Sequence, residues 1–203
     1  SCEFTTTPIL SATTLAAYCY RDMFSGCAFL TTIQSISAST LADGCCWSMF
    51  ENCTSLKSAP TINASIAKRQ CYLNMFRGCT SLTTAPALPA MTLDTYCYAN
   101  MFYGCTSLQT APVLPANTPV DGCYQSMFEN CTNLIYIKVM LTGGPYGEIG
   151  TELEFHTRDW VYGLYYQNGT FVRHKNSTWT TYSATHKTFS GKPRGWTERT
   201  ATS

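Results

Sequence analysis

The dipeptide Met-Phe recurs every 26 residues, and this periodicity constrains the fold more than any other feature of the sequence. Two cysteines flank each copy in a constant register, giving the pairs Cys19/Cys27, Cys45/Cys53, Cys71/Cys79, Cys97/Cys105 and Cys123/Cys131. The five copies contain no insertion or deletion relative to one another. Such regularity predicts one structural unit repeated five times, in which each unit covers the apolar face of its neighbour. The phenylalanines are therefore expected to form a single interior row.

The internal pattern of each repeat predicts a helix followed by a short strand. The position just before the second cysteine is always Gly or Asn, which tolerate the left-handed conformation that ends helices. Leu15, Cys19 and Met23 are spaced four apart and would share one helix face. We therefore expect a helix of about eleven residues from near Leu15 to Ser25, and its equivalents in each copy. Residues 134–141 lack proline and are expected to form the best strand.

The periodicity stops at Thr142, which predicts two domains. Residues 1–141 are expected to form an α/β solenoid of 26-residue strand–helix units, and residues 142–203 a small β-rich C-terminal cap. Within the cap, Asn168-Gly169 predicts a β-hairpin over residues 165–172, with tryptophans packed onto the last repeat. Half a repeat precedes the first Met-Phe pair. The N-terminal edge is therefore expected to be open to a partner or a further domain.

The repeat resembles a known family. Residues 97–116 (CYANMFYGCTSLQTAPVLPA) show the unit most fully, and it is similar to the BspA-like leucine-rich repeats of surface proteins from gut and oral bacteria and some of their phages. The resemblance covers residues 1–141. It implies a horseshoe of short strands and helices that serves adhesion or partner binding without catalysis, outside the cell, at the cell surface or in a virion. No cofactor and no catalytic residue come with it.

Composition limits the classes of partner. The formal net charge is +1, which gives no field that would favour nucleic acid. No apolar run reaches the roughly 18 residues that suggest a membrane span. We therefore expect a protein or glycan partner, no nucleic acid and no membrane insertion.

The 12 cysteines allow more than one interpretation. Across an unbroken helix, the paired Cα atoms would lie ~12 Å apart, which is too far for a disulfide. Buried free thiols are therefore favoured, and disulfides within each repeat are the alternative. A metal site is disfavoured because the sequence has no Cys-x-x-Cys and its three histidines lie outside the repeats. Cys46 replaces a tyrosine of the other repeats and is expected to be partly exposed.

Two freely varying positions in each repeat are expected at the surface. They supply the candidate binding residues Trp47, Arg77 and Tyr103, and the opposite face supplies Tyr136 and Lys138. Exposed aromatic and arginine side chains often anchor a partner. The favoured hypothesis is an extracellular recognition or adhesion module that binds a protein or glycan through its repeat surfaces and is not an enzyme.

Two other functions compete with this hypothesis. The first is a structural or receptor-binding component of a larger assembly, such as a phage tail fibre. The second is a secreted hydrolase that uses Glu148, Glu152, Glu154 or Asp159, with His156 and Asp159 as an acid–base pair. A solvent-exposed acidic stretch is the simpler explanation of these carboxylates.

Overall fold

The computed structural model describes residues 2–142, 156–164, 168–177, 179 and 191–202. In these residues the secondary structure consists of three strands, β1 (Tyr136–Val139), β2 (Thr170–His174) and β3 (Thr197–Ala201). They form one parallel sheet in the order β1-β2-β3. The predicted leucine-rich-repeat solenoid of strand–helix units is wrong, because no described residue lies in a helix. It follows that none of them belongs to a helix capable of crossing a membrane.

Each predicted helix is instead a run of consecutive hydrogen-bonded turns. We call these runs turn units 1 to 5; they span residues 16–27, 42–53, 68–79, 94–105 and 120–131. In unit 1 every second N–H donates to the carbonyl three residues earlier, as Met23 does to Tyr20 at 3.3 Å. The N–H groups between them donate to the next unit, as Phe24 does to Met49 at 2.9 Å. An α-helix would keep all its interior bonds within its own segment, so the turn units are tied to one another instead.

Left-handed residues at every fourth position explain why no helix forms. In unit 1 the φ angles of Tyr18, Asp22 and Gly26 are 57°, 56° and 73°. An α-helix needs negative φ at every residue. The same three positions are left-handed in units 2 to 5, where most of them hold Gly, Asn or Ser. The sequence analysis treated only the last of the three positions as a helix end, and this produced the wrong prediction.

The predicted row of phenylalanines is confirmed. Successive rings lie nearly parallel, with centroids 5.5 to 5.8 Å apart, and the row comprises Phe24, Phe50, Phe76, Phe102 and Phe128. A second row contains Tyr72, Tyr98 and Tyr124, with centroid separations of 5.6 and 6.0 Å. These rings lie in the core that the described turn units share. Aromatic stacking and burial therefore stabilise each unit through its neighbours.

Residues 156–164 form a sixth turn unit, which the sequence analysis missed. Phe128 N donates to Trp160 O at 2.8 Å, and Asn130 N donates to Tyr162 O at 2.7 Å. Trp160 is fully buried, and the centroid of its ring lies 6.1 Å from that of Phe128. This contact agrees with the predicted packing of tryptophan onto the last repeat. The unit escaped notice because it lacks Met-Phe and follows unit 5 after a longer interval. The domain boundary at residue 142 stays a prediction.

The predicted hairpin over residues 165–172 is wrong. Strand β2 is paired with β1 along one edge and with β3 along the other, and both pairings are parallel. A hairpin partner would have to be antiparallel and would need one of those edges. Within the predicted strand of residues 134–141, the structure forms β1 over Tyr136–Val139.

Candidate functional site

The second cysteine of units 2 to 5 is a buried thiol with a structural partner. Each Sγ donates to the phenylalanine carbonyl of the preceding unit at 3.0 to 3.2 Å, in the pairs Cys53–Phe24, Cys79–Phe50, Cys105–Phe76 and Cys131–Phe102. Ten of the twelve cysteines are free and nine of these are buried. The interpretation as buried thiols is confirmed for eight of the ten paired cysteines, which are those of units 2 to 5. These thiols serve the stack and are not available for exchange chemistry.

Three cysteines depart from the predictions, and the first is Cys19, which was expected to be a buried thiol and is exposed. Within the described residues no turn unit precedes that of Cys27, and Cys27 forms a disulfide with Cys2 across a Cα–Cα distance of 4.9 Å. Cys46 was expected to be partly exposed, but it is buried at 2 % and its sulfur lies 3.9 Å from that of Cys45. The error arose because the tyrosine position that Cys46 occupies faces the core, where Tyr72 and Tyr98 stack.

Burial makes most of these thiols poor nucleophiles. Desolvation raises the pKa of Cys53, Cys123 and Cys131 to about 12. Among the ten free cysteines, only Cys19 is exposed. The hydrogen bond from the Cys46 thiol lowers the pKa of Cys45, but Cys45 is buried. Because a reagent must also reach the sulfur, rapid modification is expected at Cys19.

We expect maleimide at pH 8 to modify one thiol in the native protein and ten in the unfolded protein. Intact mass spectrometry under non-reducing conditions counts the adducts. A Cys19→Ser variant should show none on the same time scale. Rapid addition of two or more labels to the native parent protein would contradict the assignment.

Neighbouring side chains cover part of the predicted binding residue Trp47. The guanidinium carbon of Arg21 lies 4.3 Å from the centroid of the Trp47 ring, and the ring of Tyr18 lies 6.5 Å away. Arg21 and Trp47 belong to successive units. A cation over a ring is an attractive contact, so Trp47 contributes to the contact between units 1 and 2.

Arg77 and Tyr103 are brought together by the stack. The Arg77 guanidinium lies 4.8 Å from the Tyr103 ring centroid and 3.8 Å from a Glu51 carboxylate oxygen. The Tyr103 hydroxyl accepts a hydrogen bond from Asn130 Nδ2 at 3.2 Å. These four side chains come from four successive units. Their partners lie within the protein, and this favours a role in joining units over a role in binding.

The remaining two predicted residues lie on β1. Ile137 and Val139 are fully buried, whereas the alternating Tyr136 and Lys138 are partly exposed. Lys138 lines a cavity of about 330 Å³ that Tyr136 does not reach. We call this cavity the Met91 groove; its lining is Met91, Val113, Pro115, Asn117, Lys138, Met140, Thr142, His174 and Thr202.

The Met91 groove contains two of the exposed large apolar side chains of the described residues. Met91 is 54 % exposed and Val113 is 45 % exposed. Clustered apolar side chains at a surface mark contact sites, and methionine adapts its shape to different partners. The lining contains no carboxylate and no nucleophilic cysteine. The groove is therefore suited to holding an apolar group, with Lys138 and His174 as its ionisable lining residues.

The sequence analysis missed the apolar residues of this groove, although a signal was present. Met91 occupies a position that holds Ser39, Ser65 and Asn117 in other repeats. A methionine among polar equivalents indicates an apolar side chain at the surface.

The structure does not support the acid–base pair of the alternative hydrolase hypothesis. His156 Nδ1 lies 3.8 Å from Asp121 Oδ1, and Asp159 pairs with Arg158 at 3.6 Å. Glu148, Glu152 and Glu154 lie outside the described residues. Among the residues that are described, no three His, Cys, Asp or Glu side chains cluster as a metal site would require.

Comparison with known proteins gave no match among protein-family models, curated proteins or solved structures. The functional argument therefore depends on the groove and on the stack that carries it.

Proposed function

We propose that this chain is an extracellular recognition module that binds a protein partner through the Met91 groove, without catalysis. The exposure of Met91 and Val113 in a groove that also includes Met140 carries this proposal. Hydrogen bonds between successive units hold the backbone around the groove in place. One of them is donated by Leu114 N to Lys138 O at 3.0 Å. A site on a fixed framework loses little entropy when a partner binds.

The lining of the groove favours a protein over a glycan. Sugars usually need an aromatic face and many hydrogen-bonding groups, whereas this lining contains methionine, valine and proline and no phenylalanine, tyrosine or tryptophan. An apolar side chain from a peptide or protein would fill such a groove as an interface anchor. Lys138 and His174 at the rim add polar groups that can orient the backbone of the partner.

Two observations support a location outside the cell. The Cys2–Cys27 disulfide is of a kind that persists mainly in oxidising compartments. The resemblance of residues 97–116 to repeats of bacterial surface proteins agrees with the same location, at the cell surface or in a virion, although the fold differs from the one that resemblance implied.

An array of extracellular protein fragments, probed beside a glycan array, tests the proposal. We expect protein hits whose affinity falls by roughly tenfold or more in Val113→Glu, because the new carboxylate would be desolvated in the groove. Ile135→Glu is the matched control, since Ile135 is 47 % exposed and lies outside the groove lining. Binding confined to glycans, or protein binding that Val113→Glu leaves unchanged, would contradict the proposal.

A structural role in a larger assembly, such as a phage tail fibre, is the second candidate. It draws support from large apolar side chains exposed near the N-terminus, which are Phe4, Ile9, Tyr18, Met23 and Phe29, at 43 to 65 %. A surface of this kind suits a permanent contact better than solvent. An assembly role predicts that changes at these side chains, and not at Val113, abolish incorporation into the larger particle.

A further inference from the structure

Residues 31–41 and residues 57–67 connect successive turn units and face each other across a cavity of about 640 Å³. On its other side, the first of these connectors is joined to residues 5–15 by eight backbone hydrogen bonds of 2.9 to 3.2 Å. Between the two connectors there is no backbone hydrogen bond and no β-bridge, and the structure describes every residue of both. We call this space the connector gap.

The connector gap leaves backbone groups of residues 31–41 without a partner among the described residues. One repeat earlier, Thr7 N donates to Thr32 O at 3.2 Å, whereas the equivalent Ile33 N has no described acceptor. Ile36 is only 8 % exposed, and neither its N–H nor its carbonyl is bonded to a described residue. Unpaired backbone groups at a buried residue cost free energy, so this edge is suited to an additional strand.

Hydrogen bonds on the outer sides hold the two connectors apart. Residues 57–67 are bonded to the connector that follows them, for example through Ala59 N, which donates to Thr84 O at 3.2 Å. Pro60 lines the gap and has no N–H to donate to residues 31–41. Closure of the gap would therefore disturb bonds already made on both outer sides and would still lack one donor.

The lining of the connector gap is uncharged. It contains no Asp, Glu, Lys, Arg or His and no aromatic ring, and its polar side chains are Gln34, Ser35, Ser37, Thr61 and Asn63. A charged group in this space would lose solvent without gaining an opposite charge, which is costly. The lining therefore favours an occupant without charge, and the unpaired edge favours one with a peptide backbone.

We propose that the connector gap binds an extended, uncharged segment of a partner polypeptide, which pairs with the backbone of residues 31–41. Connectors elsewhere in the stack pair in this way, as Leu10 does with Ile36. Residues 31–41 contain no proline, and an unprotected edge of this kind is a template for strand addition. A segment of roughly five residues spans the edge from Ile33 to Ser37. The inference is independent of the Met91 groove.

Hydrogen exchange followed residue by residue with NMR tests the proposal. The probe is the synthetic peptide TTIQSISAS, acetylated and amidated at its ends, which has the uncharged, proline-free sequence of residues 31–39. We expect the amides of Ile33 and Ile36 to exchange rapidly in the free protein and roughly tenfold more slowly at millimolar peptide. The same peptide with methylated backbone nitrogens is the control and should protect neither amide, because it has lost its donors.

A pair of variants at Asn63 tests the opposite wall of the gap. One repeat earlier the equivalent residue, Ser37, donates its N–H to Leu10 O at 3.0 Å, so the N–H of Asn63 is expected to point into the gap. Asn63→Pro removes this donor and should weaken peptide binding roughly fivefold. Proline is accommodated at the equivalent positions Pro89 and Pro115, and circular dichroism checks the fold. Asn63→Ala keeps the N–H and is the matched control.

Three results would overturn the proposal. The first is slow exchange of Ile33 and Ile36 in the free protein, which would mean that the gap is closed or already covered by this chain. The second is a peptide that protects neither amide, and the third is equal protection by the methylated peptide. Val113→Glu should leave peptide binding unchanged, so this proposal and that of the Met91 groove can fail separately.

Discussion

Raising the pH from 9 to 10 is expected to lower the free energy of unfolding steeply, to the point of cooperative unfolding. Burial raises the pKa of seven cysteine thiols, which are Cys53, Cys71, Cys79, Cys97, Cys105, Cys123 and Cys131. In the unfolded chain a thiol ionises near pH 8.5. Between that pH and about 12 the folded state therefore holds protons that the unfolded state has lost, so stability decreases as the pH rises.

The expected slope follows from linkage. Each such thiol removes about 1.4 kcal/mol of unfolding free energy per pH unit. Seven together remove roughly 10 kcal/mol per unit, which is comparable to the whole stability of a typical domain. The stabilisation is fully present below pH 8.5 and is lost progressively above it.

Urea titrations at fixed pH values between 8 and 10 measure this slope. Cys131→Ser should reduce it by about 1.4 kcal/mol per pH unit, because the hydroxyl can still donate to Phe102 O but does not ionise. Cys19→Ser is the exposed control and should change it much less. An unfolding free energy that is constant from pH 8 to pH 10 would show that the thiols are not buried in solution.

Replacing Phe76 with alanine is expected to destabilise the protein by about 3 to 5 kcal/mol. The ring is fully buried and lies between Phe50 and Phe102, with centroid distances of 5.7 and 5.8 Å. Removing it leaves a cavity inside the row and interrupts the stack on both sides.

Phe24→Ala is the matched comparison, because Phe24 stands at the end of the row and stacks on Phe50 alone. Its loss should cost at least about 1 kcal/mol less than that of Phe76. Chemical denaturation of both variants at pH 7 measures the difference. Equal losses would indicate that the two rings have equivalent surroundings, which is incompatible with a row that ends at Phe24.

The sequence predicted the repeat period and the interior ring row because both depend on apolar residues at constant spacing. It failed on the helix because a spacing of four, as in Leu15, Cys19 and Met23, fits a four-residue turn pattern as well as a helix face. The distinguishing evidence was the column of Asp22, Ser48 and their equivalents, which are residue types that adopt left-handed turns more readily than apolar ones.

The candidate site was only partly predictable. The outward direction of Tyr136 and Lys138 follows from the alternation of a strand. The groove beside Lys138 could not be predicted in this way. Its residues Met91, Val113 and His174 are far apart in sequence and meet only because successive units lie side by side. Trp47, Arg77 and Tyr103 were expected to be exposed but are only partly so, because adjacent units supply contacts that their variability could not reveal.

The alternation of donors within a turn unit restricts how such a chain can change its length. Deleting one residue inside a unit would shift the alternation by one position. The N–H groups that now bond the neighbouring unit would then point into the turns, and those that close the turns would point outward. The hydrogen bonds to both neighbouring units would be lost together. The connections between units are paired at isolated positions, such as Leu10 with Ile36, and their length can vary, as the longer interval before the sixth unit shows. Tandem duplication or loss of complete 26-residue segments therefore preserves the backbone pairing, while single-residue insertions can accumulate only between them.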